Sequence, residues 1–201
     1  MHPDRAFAWD DRAAALAFIA DLAFAHLFAM TPAGPRVAHV PVLVVGETLR
    51  FHLSNGNALT PYLDGAMVLA SVGGPGAYVS PNWYANGAGQ VPTWNYRAVE
   101  IEGVVRRLDE NELIDLLDAT AAVHEDRVGE DWTRAKMDPR RFEAMCRAIT
   151  GFELPAITLR ATAKLSQNKA DADARGVAAG LRATGQADPA ALIERSRGWS
   201  A

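Results

Sequence analysis

The residues best suited to chemistry in this chain are aromatic and polar by turns. They are Pro81-Asn82-Trp83-Tyr84, a short Gly/Asn loop, and then Val91-Pro92-Thr93-Trp94-Asn95-Tyr96. Prolines and the loop punctuate the stretch too heavily for a helix. Flat rings beside amide and hydroxyl groups suit a wall that stacks on a planar ligand and hydrogen-bonds its edge. The same residues would also make a rigid, aromatic-filled barrel corner that binds nothing. A second polar cluster, Lys164-Leu165-Ser166-Gln167-Asn168, puts a cation and two amides at the end of an alternating segment. These groups can meet a ligand's edge, or Gln167 and Asn168 can cap the helix that follows.

Other catalytic patterns are missing. The histidines are His2, His26, His39, His52 and His124, and no two have the spacing of a metal pair. Ser54, Ser80 and Ser166 lack the surroundings of a nucleophile elbow. Gly73-Gly74-Pro75-Gly76 is followed by no Gly-Lys-Ser/Thr and opens no helix, so it reads as a turn between strands. The carboxylates between Glu125 and Asp131 alternate with Arg127 and read as a solvated helix connection. No side chain stands out as a catalytic acid or base, and no metal is expected.

Ala77-Tyr78-Val79-Ser80-Pro81-Asn82-Trp83-Tyr84, Val91-Pro92-Thr93-Trp94-Asn95-Tyr96 and Lys164-Leu165-Ser166-Gln167-Asn168, in this order, resemble the PaiB family of FMN-binding negative transcriptional regulators. The resemblance runs over roughly residues 1–181. More distantly, Arg97 to Gly103 and Arg106-Arg107-Leu108 are similar to the central strand of pyridoxamine-phosphate-oxidase-like split barrels. The resemblance implies FMN as cofactor and an antiparallel split β-barrel with helices packed outside. It implies that the backbone of Arg36-Val37-Ala38-His39 meets the polar edge of the flavin ring. His52-Leu53-Ser54 and Asn57 would approach the phosphate, and Trp94, Asn95, Lys164, Ser166, Gln167 and Asn168 would complete the site. His39 and His52 are equally readable as ordinary strand residues. One position departs from the family. Where the pattern after the histidine resembles Ala-Arg-x-Asn-Pro, this chain has Ser54-Asn55-Gly56-Asn57-Ala58. A neutral amide cannot replace the bidentate grip of a guanidinium on phosphate, so Lys164 or Arg36 would have to compensate.

The composition fits this picture. The chain has 201 residues, 49% of them hydrophobic, and a net charge of −4. That is enough for a proper core and too acidic for a duplex-DNA reader with a basic stripe. The single cysteine, Cys146, excludes an internal disulfide and fits a reducing, cytoplasmic setting. Charges at Asp4, Arg5, Asp10, Asp11 and Arg12 exclude a signal peptide at the start of this sequence, and no apolar run suits a membrane span.

The elements that must position these residues follow from periodicity. Asp10 can cap a first helix with Ala14, Phe18 and Leu22 on one face, widened by Leu16 and Ile19. Strands are expected over Leu27–Thr31, Arg36–Val45, Leu49–Leu53, Met67–Val72 and Thr93–Arg107, the last bent at Gly103, with a helical turn over Leu59–Leu63. Asp109 and Glu112 form a capping box for a helix lined by Leu113, Leu116, Leu117 and Thr120. Asp138-Pro139 starts another with the stripe Phe142, Met145, Cys146 and Ile149, ended by Gly151. In the last strand Ile157, Leu159, Ala161, Ala163 and Leu165 alternate with Thr158, Arg160, Thr162 and Lys164, predicting one buried and one polar face. Helices run from about Ala170 to Thr184 and on to Arg195, hinged at Gly185-Gln186-Ala187, and the final one is a candidate for docking on a partner subunit.

This order suits a mainly β barrel with peripheral helices, in one split-barrel domain over residues 1–168 with a helical extension over 169–201. The functions to be weighed are three. One is an FMN-binding protein acting as a flavin-linked regulator or a weak flavin-dependent oxidoreductase. Another is a transcriptional regulator working without flavin chemistry, for which direct DNA contact is not expected. The last is a haem-binding or cofactor-free relative, with His39 or His52 as the axial candidate. A homodimer with the cofactor at the subunit interface is expected, with Trp83, Tyr84 and Trp94 as aromatic surface to bury.

Overall fold

The computed structural model describes residues 2–87 and 89–199. Its elements are α1 (Arg12–Leu22), β1 (Phe24–Thr31), β2 (Gly34–Pro41), β3 (Leu43–Val45), β4 (Thr48–Ser54), β5 (Met67–Gly73), β6 (Ala77–Val79), β7 (Thr93–Val104) and β8 (Arg106–Arg107). Then follow α2 (Glu110–Val128), α3 (Pro139–Cys146), β9 (Ile149–Pro155), β10 (Thr158–Lys164), α4 (Asp171–Ala183) and α5 (Ala187–Ser196). Internal contacts divide the chain into two units. The first contains Met1–Arg12, Gly73–Val99 and Arg160–Ala201; the second contains Ala13–Val72 and Glu100–Leu159.

In the second unit β1 pairs with β2 and β5 in antiparallel register. A second antiparallel sheet has the order β3-β4-β9-β8. Alternation drives both. On β1, Ala25, Leu27 and Ala29 are buried, while Phe24, Phe28 and Met30 point outward. Phe51 of β4 and Phe152 of β9 lie opposite each other in register and stack in the core with ring centroids 5.7 Å apart. The capping box at Asp109 and Glu112 forms as expected, and α2 buries Leu113 and Leu116. On α1 the buried face is Ala15, Phe18 and Ile19, one position round from the expected Ala14 and Leu22.

Gly103 bends no ladder by a positive φ. It is a point of close approach: a Cβ there would collide with the Pro155 carbonyl oxygen. Gly151 corrects the sequence reading more sharply. It ends no helix; α3 stops at Cys146, and Ile149–Pro155 is β9, held between β4 and β8. Without a side chain at 151, Leu108 and Leu113 can press on the strand, because a Cβ there would lie 3.1 Å from the Leu113 methyl.

In the first unit β7 pairs with β6 and β10, and α4 and α5 pack together over a core of Val79, Tyr84, Leu165, Val177, Leu181 and Ile193. Gly176 and Gly180 of α4 sit directly against Trp83, whose backbone oxygen and indole would collide with a Cβ at either position. Tyr84 is buried in the same core. Two of the three rings expected as interface surface are therefore covered within the chain, leaving Trp94 57% exposed. The apolar face of α5, with Ala190 and Ile193, is likewise covered by the chain's own core.

The expected polar face of β10 also differs, for Thr162 is buried. The N-terminal segment covers it: Ala8 bridges to Thr162, and the Trp9 N–H donates to the Ala161 carbonyl.

Candidate functional site

Pairing of β7 with β10 brings Thr93 and Asn95 beside Lys164 and the turn after it. The Lys164 ammonium donates to Thr93 Oγ1 at 2.7 Å and lies 5.4 Å from the centre of the Phe7 ring. Asn95 is 3% exposed, and its Nδ2 donates to Ser166 Oγ at 2.9 Å. Asn95 Oδ1 is buried with no partner. Turning the amide over would leave its NH2 group short of partners instead, so either orientation leaves a group unmatched. Ser166, also buried, holds a left-handed backbone with φ 63°, a conformation that costs a non-glycine residue energy.

Two further groups hold this turn. Arg197, just past α5, donates from Nη2 to the carbonyls of Ser166 and Lys169 and from Nη1 to Asp171 Oδ1. Gln167 folds back on its own strand end: its Oε1 accepts from the Leu165 N–H at 2.7 Å and its amide donates to the Ala163 carbonyl. Lys169 donates to Gln90 Oε1 at 2.8 Å, with its ammonium 5.0 Å from the centre of the Tyr84 ring.

A cavity of about 260 Å³ lies here, lined by His2, Asp4, Asn95, Lys164, Ser166, Asn168 and Lys169 among others, with Gln167 and Arg197 holding the turn from outside the lining. Of the residues singled out in the sequence, Asn95, Lys164, Ser166 and Asn168 meet here. Trp94 lies on the neighbouring outward face, edge-on to Tyr78 at 6.1 Å. Sequence reasoning missed Phe7, Gln90, Lys169 and Arg197. Lys169 directly follows the polar signature and could have been included; the others carry no local signal.

The remaining expected residues lie in the second unit. β2 is the terminal strand of its sheet. Ala38 points into the core, whereas Val37 and His39 point outward, with the His39 ring 4.8 Å from that of His26. Arg36 donates to the Pro35 carbonyl. On β4, Leu53 is core, and Ser54 Oγ accepts from the Gly56 N–H. Asn57 Oδ1 accepts from the Leu59 N–H, closing a turn before the single helical turn Thr60–Tyr62. His52, on the opposite face of β4 from Phe51 and Leu53, looks into a cavity of about 310 Å³, and burial lowers its pKa. Asn55 is fully used: Nδ2 donates to the Arg147 carbonyl and Oδ1 accepts from Thr150 Oγ1. It ties the end of β4 to the start of β9. Among the described residues no group of three or more His, Cys, Asp or Glu could hold a metal.

FMN offers an anionic phosphate and a ring edge that carries an N–H. The first-unit cavity suits the ring edge, where carbonyl oxygens flank the N–H: Asn95 Oδ1 is an acceptor awaiting a donor, and each ammonium keeps N–H donors beyond the one hydrogen bond described. At about 260 Å³ it is smaller than pockets that enclose a whole drug-sized ligand, so it would hold one end of the cofactor.

Known proteins are similar to this chain in sequence or in fold. The chain is 34% identical over 106 residues to the protease synthase and sporulation protein PAI 2 of Bacillus subtilis, an overlap of 53% of this chain and 50% of that protein. It therefore spans about half the length of this curated relative. Its fold is similar to that of a flavocytochrome from Azotobacter vinelandii, with a TM-score of 0.61 and 15% identity over 81% of this chain and 72% of the other. It is also similar to an FAD- and haem-binding protein from Mycobacterium smegmatis, with a TM-score of 0.58 and 19% identity over 86% and 78% of the two chains. The fold is the split barrel of flavin-binding proteins. Residues 1–158 match the family described as "Putative FMN-binding domain". The chain belongs to that family, is of the PaiB type, and has FMN as its cofactor.

Proposed function

We propose that this chain is a cytoplasmic FMN-binding protein that acts as a flavin-linked regulator or a weak flavin-dependent oxidoreductase, working as a homodimer. The observation that carries the reading is the buried Asn95 carbonyl oxygen without a partner, set beside two ammonium groups. Proposed contacts are confined to the first unit, where the side chains converge. Asn95 accepts the ring N–H, Lys164 and Lys169 donate to the ring carbonyls that flank it, and Ser166 and Asn168 shape the wall. FMN supplies the redox chemistry when bound. The chain's own residues bind, orient and exclude water.

The dimer reading rests on the outward face of β1, β2 and β5. Phe24, His26, Phe28 and Met30 lie directly opposite Pro41, His39, Val37 and Pro35, and Leu69 adjoins Phe28. Phe24, Phe28, Met30 and Val37 are all exposed, Met30 by 70%. A contiguous apolar sheet face of this kind marks an interface, and a two-fold axis would cover it with a copy of itself. The net charge of −4 argues against direct contact with DNA. Flavin-fluorescence titration combined with light scattering tests the proposal. Saturable FMN binding by a dimer is expected, and Phe28→Arg should yield a monomer. A wild-type monomer at micromolar concentration would contradict the assembly.

A further inference from the structure

The second unit contains a cavity unlike the first. It is about 310 Å³, lies under α3, and is lined by Leu117, Trp132, Phe142, Met145 and Ile149, with His52 as a polar group inside. Helix α3 buries only Cys146 completely, so the apolar side chains Phe142 and Met145 border open space. At its rim Arg134 pairs with Asp118 at 3.1 Å and lies over the Phe142 ring at 5.7 Å. These charges answer each other and leave none to meet a charged ligand. The His52 ring has no hydrogen-bond partner among the described residues, and burial favours its neutral form, which offers one acceptor and one donor nitrogen.

We infer that this cavity is a binding site for a small, uncharged aromatic molecule of one or two rings carrying a single O–H or N–H, which His52 accepts. Trp132 and Phe142 supply ring surfaces, and Leu117, Met145 and Ile149 the apolar walls. The volume lies at the lower end of the range for ligand pockets, which excludes large multi-ring ligands. A ligand carboxylate would have to displace Asp118 from Arg134 or lie desolvated in an apolar wall, and either is unfavourable. The site is separate from the proposed flavin contacts, so its failure leaves that reading standing.

Three para-substituted probes separate the contributions: p-cresol, toluene and p-toluate, titrated against the full chain saturated with FMN. The readout is the methyl NMR signals of Met137 and Met145, which both line the cavity. p-Cresol is expected to shift both signals saturably, toluene to bind about fivefold more weakly for want of the hydrogen bond, and p-toluate to leave them unchanged. His52→Leu should make cresol and toluene equal. Leu117→Trp, which fills the space and leaves His52 in place, should remove binding of both. The inference is overturned if millimolar cresol gives no saturable shift, if the preference for cresol survives in His52→Leu, or if cresol still binds to Leu117→Trp. It is also overturned if FMN displaces cresol, since the cavity would then belong to the flavin site.

Discussion

Replacing Asn95 by leucine separates a ligand-binding amide from a structural one. Without ligand, the substitution removes the hydrogen bond to Ser166 Oγ, worth about 0.5–1.5 kcal/mol, and strands that buried hydroxyl. It also removes a buried carbonyl oxygen that has no partner, whose desolvation costs about 1–3 kcal/mol. These effects nearly cancel, so the stability of the FMN-free chain should change by no more than about 1 kcal/mol, or about 2–4 °C in Tm. With FMN bound the balance is different. The ligand's N–H loses its acceptor inside a water-poor pocket, a loss of about 1–3 kcal/mol, which weakens binding roughly 5- to 150-fold. Fluorescence titration with FMN gives the affinity, and thermal melting without FMN gives the stability. An unchanged Kd would refute the reasoning, as would a Tm loss that accounts for the weaker binding.

Gln167 and Lys164 should behave differently although they share one motif. Gln167→Ala removes two ties to the end of β10 and should lower Tm with little effect on FMN affinity, while Lys164→Ala should weaken FMN binding by about 1–3 kcal/mol; equal effects on affinity would contradict this. Asn55→Arg should destabilise the chain by about 1–3 kcal/mol without tightening FMN binding, because it breaks the links to Arg147 and Thr150; tighter binding would show that an arginine here reaches the phosphate. Acid should destabilise the chain through Glu112, whose pKa the hydrogen bond from Arg106, with help from the Asp109 N–H, lowers from 4.5 to about 2. A depressed folded-state value means that this stabilisation is present above pH 4.5 and disappears as pH falls towards about 2, so Glu112→Gln should flatten the melting profile in that window.

Local signals proved readable, and convergence did not. The capping box of α2 and the Asp138 cap of α3 each lie within one helical turn, and both form. Strands β1, β2, β4 and β5 show themselves by their apolar residues and by turns such as that at Gly46, which takes a positive φ, but Arg36–Val45 reads as one strand where the chain breaks after Pro41 and sends β3 to the other sheet. β9 escaped because Ile149 continues the helical spacing of Phe142 and Cys146 and Gly151 looks like a stop. Its real determinants are β4 and β8, which lie far away in the sequence. Asn95, Lys164 and Ser166 stand out as polar residues in marked motifs, but that Asn95 touches Ser166 depends on pairing across a separation of 71 residues. Arg197 gave no signal at all. An arginine near a helix end reads as a solvated charge, and only the packing of α4 and α5 brings its guanidinium to the Ser166 and Lys169 carbonyls.

The central claim is that this chain holds FMN through its own residues, without the arginine that the family pattern places at position 55. The most direct measurement is the visible spectrum of the full chain after incubation with FMN and passage through a desalting column. The account predicts a retained flavin band, shifted from that of free FMN and near one flavin per chain, and its loss in Lys164→Ala. A flavin-free protein that also fails to quench FMN fluorescence at any reachable concentration would contradict it.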